Sequence, residues 1–242
     1  MRKTVAVICC ALGLLACDKH DPVLPGVRTA IFDVARPDVK NQTITDVPEN
    51  AFFADNSNCP YTQDSSNIIW QGERKVFSGF PTSNTVKSNM KPVCDGGYLY
   101  AGLTTGEVVK INPKTRQILW IADVYRASNL TGGASMVDIV TPPVPYKNAI
   151  YAGGLGDAFC RLSASSGAKV WCHEIPVSVP FVIAGNYVFV VSDDGNLYAV
   201  RQSDGGIYWR TRISERVAPK YSQGIVTVGN QRIDVLTGKI IL

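Results

Sequence analysis

The chain has 242 residues, of which 45% are hydrophobic and 18% are charged, and its formal net charge is +4. A chain of this length and composition can bury a substantial core, either as one domain or as a short array of repeats. No long basic run occurs in the sequence, so the composition gives no support to nucleic-acid binding. The 21 glycines and 14 prolines indicate many tight turns, and the 10 tyrosines favour strands.

The first 17 residues, MRKTVAVICCALGLLAC, have the features of an export signal. Arg2 and Lys3 precede an apolar run over residues 5–16, which is too short to span a bilayer comfortably and fits the hydrophobic part of a signal peptide. The run ends in a small residue before Cys17, and this order resembles the bacterial lipoprotein signal, in which the cysteine is lipidated and becomes the first residue. The alternative is an ordinary secretory leader with an incidental cysteine.

A lipid on Cys17 implies a protein that is anchored to a membrane and faces the periplasm. The acyl chains of the lipid would hold the protein at the membrane, since each buried CH₂ contributes roughly 0.8 kcal/mol to membrane binding. Residues 18–65 are then predicted to form a tether and linker. In enteric bacteria an Asp directly after the lipidated cysteine keeps a lipoprotein on the inner membrane, so Asp18 leaves the choice between inner and outer membrane open.

Three segments of equal length align without gaps and end in Trp120, Trp171 and Trp209. They read GYLYAGLTTGEVVKINPKTRQILW, NAIYAGGLGDAFCRLSASSGAKVW and NYVFVVSDDGNLYAVRQSDGGIYW. Each contains an apolar strand, a turn with glycine, a second strand, a polar turn and a third strand that ends in Trp. A weaker fourth copy, GIVTVGNQRIDVLTGKIIL, follows, with Ile241 or Leu242 in the Trp position. The sequence is therefore read as a repeat before anything else.

A short proline-containing segment before each copy supplies a first strand, so one unit is four short antiparallel strands, as in a propeller blade. The run YVFVV is apolar at every position, which indicates a strand covered on both faces. The predicted fold is all-β: a β-propeller domain over residues 66–242 with about four recognisable blades, at about 90–124, 140–175, 178–213 and 217–242. Trp70, in SNIIWQGERKVFSG, is assigned to the Trp position of an additional outer strand.

These blades resemble the pyrroloquinoline-quinone-type propeller repeat, most clearly in DDGNLYAVRQSDGGIYW at residues 193–209. With the leader and the following PVLPGVRTAIFD, the chain resembles the family of outer-membrane β-barrel assembly factor B (BamB). That resemblance implies a non-catalytic lipoprotein scaffold in a Gram-negative bacterium. It would face the periplasm, favour the outer membrane, and assist β-barrel insertion by docking on the central insertase subunit of the assembly machinery.

The family has eight blades, whereas about four are recognised here. A truncated copy, a small ring and an open half-ring are the alternatives. An open ring would expose apolar blade faces and strand edges, which favours self-association.

Four cysteines follow the leader, an even number that suits disulfides in an oxidising compartment. Cys160 and Cys172 occupy the third and fourth strands of one predicted blade and face each other across the hairpin, which predicts a cross-strand disulfide. Cys59 and Cys94 are then the remaining pair, joining the linker to the first full blade. The alternative is buried free thiols. A zinc site is disfavoured because the cysteines lack CxxC spacing.

No catalytic constellation is found, so the chain is predicted not to be an enzyme and to need no cofactor or metal. Many catalytic members of the propeller superfamily carry a disulfide between adjacent cysteines beside the quinone, but the adjacent pair here, Cys9 and Cys10, lies in the leader. His173 is interpreted as structural, and Asp193 and Asp194 as part of a hairpin turn. The alternatives are a relative or fragment of a quinone-dependent dehydrogenase, and a decayed propeller.

A long connection over residues 126–138 separates the first two predicted blades. Its polar residues Arg126, Asn129, Thr131 and Asp138 are the first candidates for a partner surface, because binding residues are often carried on loops of a rigid scaffold. The alternative is a surface loop without a partner.

Overall fold

The structure, a computed structural model, describes residues 37–53, 58–82, 91–125 and 136–241. Within these ranges the regular secondary structure is entirely β, which confirms the predicted fold class. None of the described residues form a helix long and apolar enough to cross a membrane.

The strands form successive antiparallel sheets along the chain. β1 (Ala51–Phe52) adds to a later sheet, and a three-stranded first sheet contains β2 (Thr62–Gln63), β3 (Ile68–Gln71) and β4 (Arg74–Ser78). Blade I contains β5 (Val93–Asp95), β6 (Tyr98–Gly102), β7 (Glu107–Asn112) and β8 (Gln117–Asp123). Blade II contains β9 (Val144–Tyr146), β10 (Ala149–Gly153), β11 (Phe159–Ser163) and β12 (Lys169–His173). Blade III contains β13 (Val182–Ala184), β14 (Tyr187–Ser192), β15 (Asn196–Arg201) and β16 (Ile207–Arg212). Blade IV contains β17 (Lys220–Ser222), β18 (Ile225–Val228), β19 (Gln231–Asp234) and β20 (Ile240–Ile241).

Each blade is an up-and-down sheet, and neighbouring sheets pack face to face through apolar clusters. One cluster joins the first sheet to blade I, and three more join blades I and II, II and III, and III and IV. All six residues of β14 are buried, as expected for a strand covered on both faces. These sheets are the blades of a partial propeller.

The regular spacing of Trp and Gly among the copies of the repeat has a direct structural cause. The indole N–H of each repeat Trp donates to a carbonyl of the next blade: Trp120 to Ala164 O at 3.2 Å, Trp171 to Gln202 O at 2.9 Å and Trp209 to Val235 O at 2.9 Å. The ring lies over a turn glycine of that next blade, and a Cβ there would come within 3.0 Å of it. These glycines, all at positive φ, are Gly167, Gly205 and Gly238. Each Trp therefore joins two blades.

The assignment of Trp70 to the repeat Trp position was wrong. In the blades the Trp forms the last cross-strand pair before a β-bulge, as Trp171 does with Arg161. In the first sheet the last pair before the bulge is Ile69 with Phe77, so Phe77 holds the equivalent position. The turn after β3 is tight, which leaves Trp70 before the turn, where its indole donates to Asp64 at 3.0 Å.

Residues 37–53 form an irregular segment, called the strap below, that lies against blades III and IV. Its backbone N–H groups donate from Lys40 to Ile207 O at 3.0 Å and from Ile44 to Leu236 O at 2.8 Å. Its last residues, β1, pair antiparallel with β13 at the other side of blade III. The tether predicted over residues 18–65 is therefore too long, because these residues and β2 belong to the folded part.

Blade IV has one apolar and one largely polar face. The face towards blade III carries Tyr221, Val226, Val228 and Ile233, all buried. The opposite face carries mainly polar side chains, and residues paired across the strands share this face. These are Lys220, Ser222, Thr227, Arg232 and Asp234, with Ile225 and Ile241 among them. This face does not offer the continuous apolar surface expected for self-association of an open ring.

Candidate functional site

The structure joins both predicted cysteine pairs as disulfides. Cys160 and Cys172 are direct register partners on β11 and β12, with Cα atoms 4.1 Å apart. Cys59 and Cys94 have Cα atoms 5.3 Å apart and connect the segment before the first sheet to β5. The two bonds tie the strands of blade II and the junction between the first sheet and blade I.

The loop residues singled out for partner binding are only partly described. Arg126, Asn129 and Thr131 lie outside the described residues. Asp138 is 1% exposed, so its side chain faces the interior and is not presented to a partner. Its backbone carbonyl accepts from Leu155 N at 2.9 Å, which attaches this end of the connection to blade II.

The acidic turn of blade III is occupied by structural contacts. Asp194 Oδ2 accepts from the Tyr198 hydroxyl at 3.0 Å, and Asp194 Oδ1 accepts from Asn196 N at 3.1 Å. Within the described ranges, no group of three or more His, Cys, Asp or Glu side chains could hold a metal ion. The turn thus has the geometry of a hairpin connection.

His173 lies at the junction of blades II and III. Its Nε2 is 2.5 Å from Gly205 O, and its ring packs beside Trp171 with centroids 5.4 Å apart. Burial lowers the pKa of His173 below its usual value of 6.5, against smaller raising effects of Gly205 O and Asp204. The side chain supports the joint between two blades.

The lowered pKa of His173 predicts a pH dependence of stability. The unfolded chain binds this proton more readily than the folded protein does, so the free energy of unfolding should decrease as the pH falls below 6.5. The decrease should level off below the folded-state pKa. Urea unfolding at several pH values between about 7.5 and about 5 checks this. His173→Gln should lose that part of the slope, and an unchanged slope in the variant would contradict the assignment.

An exposed apolar strand edge distinguishes blade I. β8 is the last strand of its sheet, and its side chains Ile118, Leu119 and Ile121 are between 45% and 49% exposed. We call these three residues with their strand the β8 edge. An edge strand presents unpaired backbone N–H and C=O groups, and natural proteins usually protect such edges with charges or cover. The β8 edge is therefore a candidate surface for strand pairing with another chain.

The neighbouring blades do not repeat this apolar edge. The register places Ile121 level with Cys172 in blade II and Arg210 in blade III, since each directly follows the repeat Trp. Leu119 corresponds to Val170 of blade II, which is also apolar and is 47% exposed. The run QILWIAD was visible in the sequence, but it was read only as the strand that carries the repeat Trp. Its uninterrupted apolar character beside more polar copies was the signal for a surface.

A cleft of about 530 Å³ opens between the strap and blades II and III. Its lining is largely polar and includes Asp46 of the strap, Arg161 of β11 and Arg201 of β15. These residues are far apart in the sequence, and no motif connects them. The cleft was accordingly not predicted.

The family model described as outer membrane protein assembly factor BamB matches residues 26–211 and 160–240. The chain is 23% identical over 126 residues to outer membrane protein assembly factor BamB of Alkalilimnicola ehrlichii, a match that covers 52% of this chain and 33% of that protein. It is 21% identical over 127 residues to the protein of the same name from Escherichia coli, covering 52% and 32%. The matched part thus spans about a third of the length of these curated relatives.

Among solved structures, the crystal structure of BamB from Moraxella catarrhalis aligns with a TM-score of 0.54 at 14% identity. The alignment covers 81% of this chain and 63% of that chain. At this identity the similarity supports the fold alone. It agrees with the stacked four-stranded sheets described above.

Proposed function

Because the chain belongs to the family of outer membrane protein assembly factor BamB, we propose that it is a non-catalytic, periplasm-facing scaffold that assists the assembly of outer-membrane β-barrel proteins. The observation that carries this proposal within the structure is the β8 edge. A scaffold needs a rigid surface that another protein can recognise, and this edge lies on a blade packed between two neighbouring sheets.

The chemistry of the β8 edge favours an extended segment as its occupant. Added strands gain affinity from main-chain hydrogen bonds and specificity from alternate side chains. The buried Trp120 keeps the strand in place, while Ile118, Leu119 and Ile121 offer apolar contacts to an incoming chain. We propose that the partner is a subunit of the barrel assembly machinery, with the central insertase as the first candidate.

Two further parts of the proposal concern attachment. A lipid on Cys17 would hold the scaffold at a membrane, with the outer membrane favoured and the inner membrane as the alternative because of Asp18. Residues between Cys17 and the strap would then serve as the tether. Metabolic labelling with a radioactive fatty acid should mark the wild type and leave Cys17→Ser unlabelled.

The substitution Leu119→Lys should strongly reduce partner capture through the β8 edge. A charged side chain on an edge opposes strand addition, so we expect recovery of the insertase after mild crosslinking to drop about tenfold or more. Val170→Lys is the matched control, because it has the same register position in blade II and a similar exposure, 47% against 45%. Affinity purification followed by quantitative mass spectrometry measures both variants.

Equal recovery with both Lys variants and with wild type would exclude the β8 edge as the docking surface. Failure of the wild type to enrich the insertase over an unrelated lipoprotein would contradict the proposed function itself. Melting temperatures of both variants verify that the comparison is made between folded proteins.

A further inference from the structure

The cleft between the strap and blades II and III has the size of a small-molecule site. Its volume of about 530 Å³ lies within the range of roughly 300–1,000 Å³ that is usual for ligand pockets. The strap contributes Thr45 and Asp46, and blade III contributes Gln202, Ser203 and Tyr208. None of the residues that line the cleft belongs to the β8 edge. A role for the cleft is therefore independent of the function proposed for that edge.

Arg161 projects from β11 into this cleft with donor capacity to spare. Its Nε atom is buried and has no hydrogen-bond partner among the described residues. Among the described residues Arg161 forms no ion pair, whereas Arg201 pairs with Asp204. A buried donor without an acceptor is costly and uncommon. Arg161 also lines the cleft, where an acceptor can approach its guanidinium.

A hydrogen-bonded chain lies beside Arg161. Burial raises the pKa of the Tyr151 hydroxyl, and the nearby Arg161 guanidinium opposes that rise. That hydroxyl donates to Gln202 Oε1 at 3.1 Å, and Gln202 Nε2 donates to Gly185 O at 2.8 Å. The polar side chains beside Arg161 are therefore fixed before any ligand arrives, which reduces the entropy lost on binding.

Comparison with blade I shows that Arg161 is not used as its counterpart is. Lys110 occupies the equivalent register position, paired with Trp120, and its Nζ donates to Ala164 O of blade II at 2.8 Å. For Arg161 of blade II the corresponding carbonyl is Gln202 O of blade III, which accepts from Trp171 Nε1. No hydrogen bond from Arg161 to this carbonyl is present among the described residues. In blade I this cation, Lys110, joins two blades, whereas its counterpart in blade II, Arg161, faces the cleft.

The other charges around the cleft are already engaged. Arg201 binds Asp204 through two contacts, Nε to Oδ1 at 2.7 Å and Nη2 to Oδ2 at 2.5 Å, and its Nη1 donates to the Tyr208 hydroxyl at 3.3 Å. Asp46 accepts a hydrogen bond from the Tyr187 hydroxyl. Arg161 thus supplies the available positive charge, and Asp46 opposes a second anionic group nearby.

We propose that this cleft binds a single carboxylate group through Arg161. A guanidinium presents parallel N–H donors, a geometry that matches the two oxygens of a carboxylate. The carboxylate could belong to a small free acid or to the C-terminus of a peptide chain, and both sources present the same group to Arg161.

Three probes distinguish the sources: acetate, an acetylated tripeptide with a free C-terminal carboxylate, and the same peptide as its C-terminal amide. Each is titrated into the full chain labelled with ¹⁵N, and the Arg161 Nε–H resonance is followed. We expect saturable shifts with a Kd of about 1 mM or tighter for at least one carboxylate. Binding of the peptide acid alone identifies a chain terminus as the ligand, and binding of acetate alone identifies a small acid.

Arg161→Gln should weaken this binding about tenfold or more. Arg232→Gln, which removes the same charge from the exposed face of blade IV, is the matched control and should leave it unchanged. If Arg161→Gln does not fold, the Nε–H titration of the wild type still decides the question. Equal binding of the peptide acid and amide, equal losses in both variants, or an unmoved Arg161 resonance with all probes would overturn the proposal.

Discussion

Replacing Trp209 with Ala should lower the free energy of unfolding by about 3–5 kcal/mol, the usual range for removing a buried Trp. Trp209 is 4% exposed and stacks on Phe189 with ring centroids 5.8 Å apart. Its indole also donates to Val235 O across the joint between blades III and IV. The substitution would leave a cavity and an unsatisfied carbonyl at the same place. Urea denaturation followed by circular dichroism measures the change.

Two variants separate the contributions at this joint. Trp209→Phe keeps an aromatic ring but removes the indole N–H, so it should cost less than Trp209→Ala, with about 1 kcal/mol attributable to the hydrogen bond. Trp70→Ala removes a half-buried Trp that is not at an inter-blade joint, and about 1 kcal/mol or less is expected. A loss at Trp70 as large as that at Trp209 would refute the distinction between them.

The strap provides the second large effect. Ile44→Ala should reduce the free energy of unfolding by about 2–4 kcal/mol, because it truncates a side chain that is 1% exposed and packs in the cluster between blades III and IV. The backbone bond from Ile44 N to Leu236 O can persist in this variant, so the loss reports on packing. Chemical denaturation quantifies it, and limited proteolysis should show earlier cleavage in blade IV.

Val47→Ala is the control on the same strap. Val47 is 50% exposed, and its truncation should change stability by no more than about 0.5 kcal/mol. Equal small effects for both substitutions would mean that the strap is only loosely attached, contrary to the packing described.

The repeated part of the fold could be predicted because each blade packs against the next through the same contacts. The Trp of one blade needs a carbonyl and a glycine on the next, so both residues recur at fixed spacing. The Trp position of the first sheet was assigned wrongly because the turn of this sheet is shorter and Phe77 replaces the Trp. Hydrophobic patterning supports blade recognition, but it does not reveal which strand a single unmatched Trp occupies.

The strap and the cleft could not be predicted for a different reason. The strap has no period, since its contacts alternate between backbone hydrogen bonds and single buried side chains such as Ile44. The cleft combines residues of the strap with Arg161 and Arg201, which are brought together only by the stacking of blades II and III. Long-range juxtaposition of this kind leaves no local pattern.

The strap also sets the order in which this protein can fold. Tyr221 donates to Pro48 O across a sequence separation of 173 residues, and Tyr187 reaches Asp46 across 141. The strap precedes the blades in the chain, so it must wait for blades III and IV before it can dock. Closing such distant contacts is slow compared with forming hairpins within a blade. We expect blades to form first and the strap to dock in a final, slower step that completes the native state.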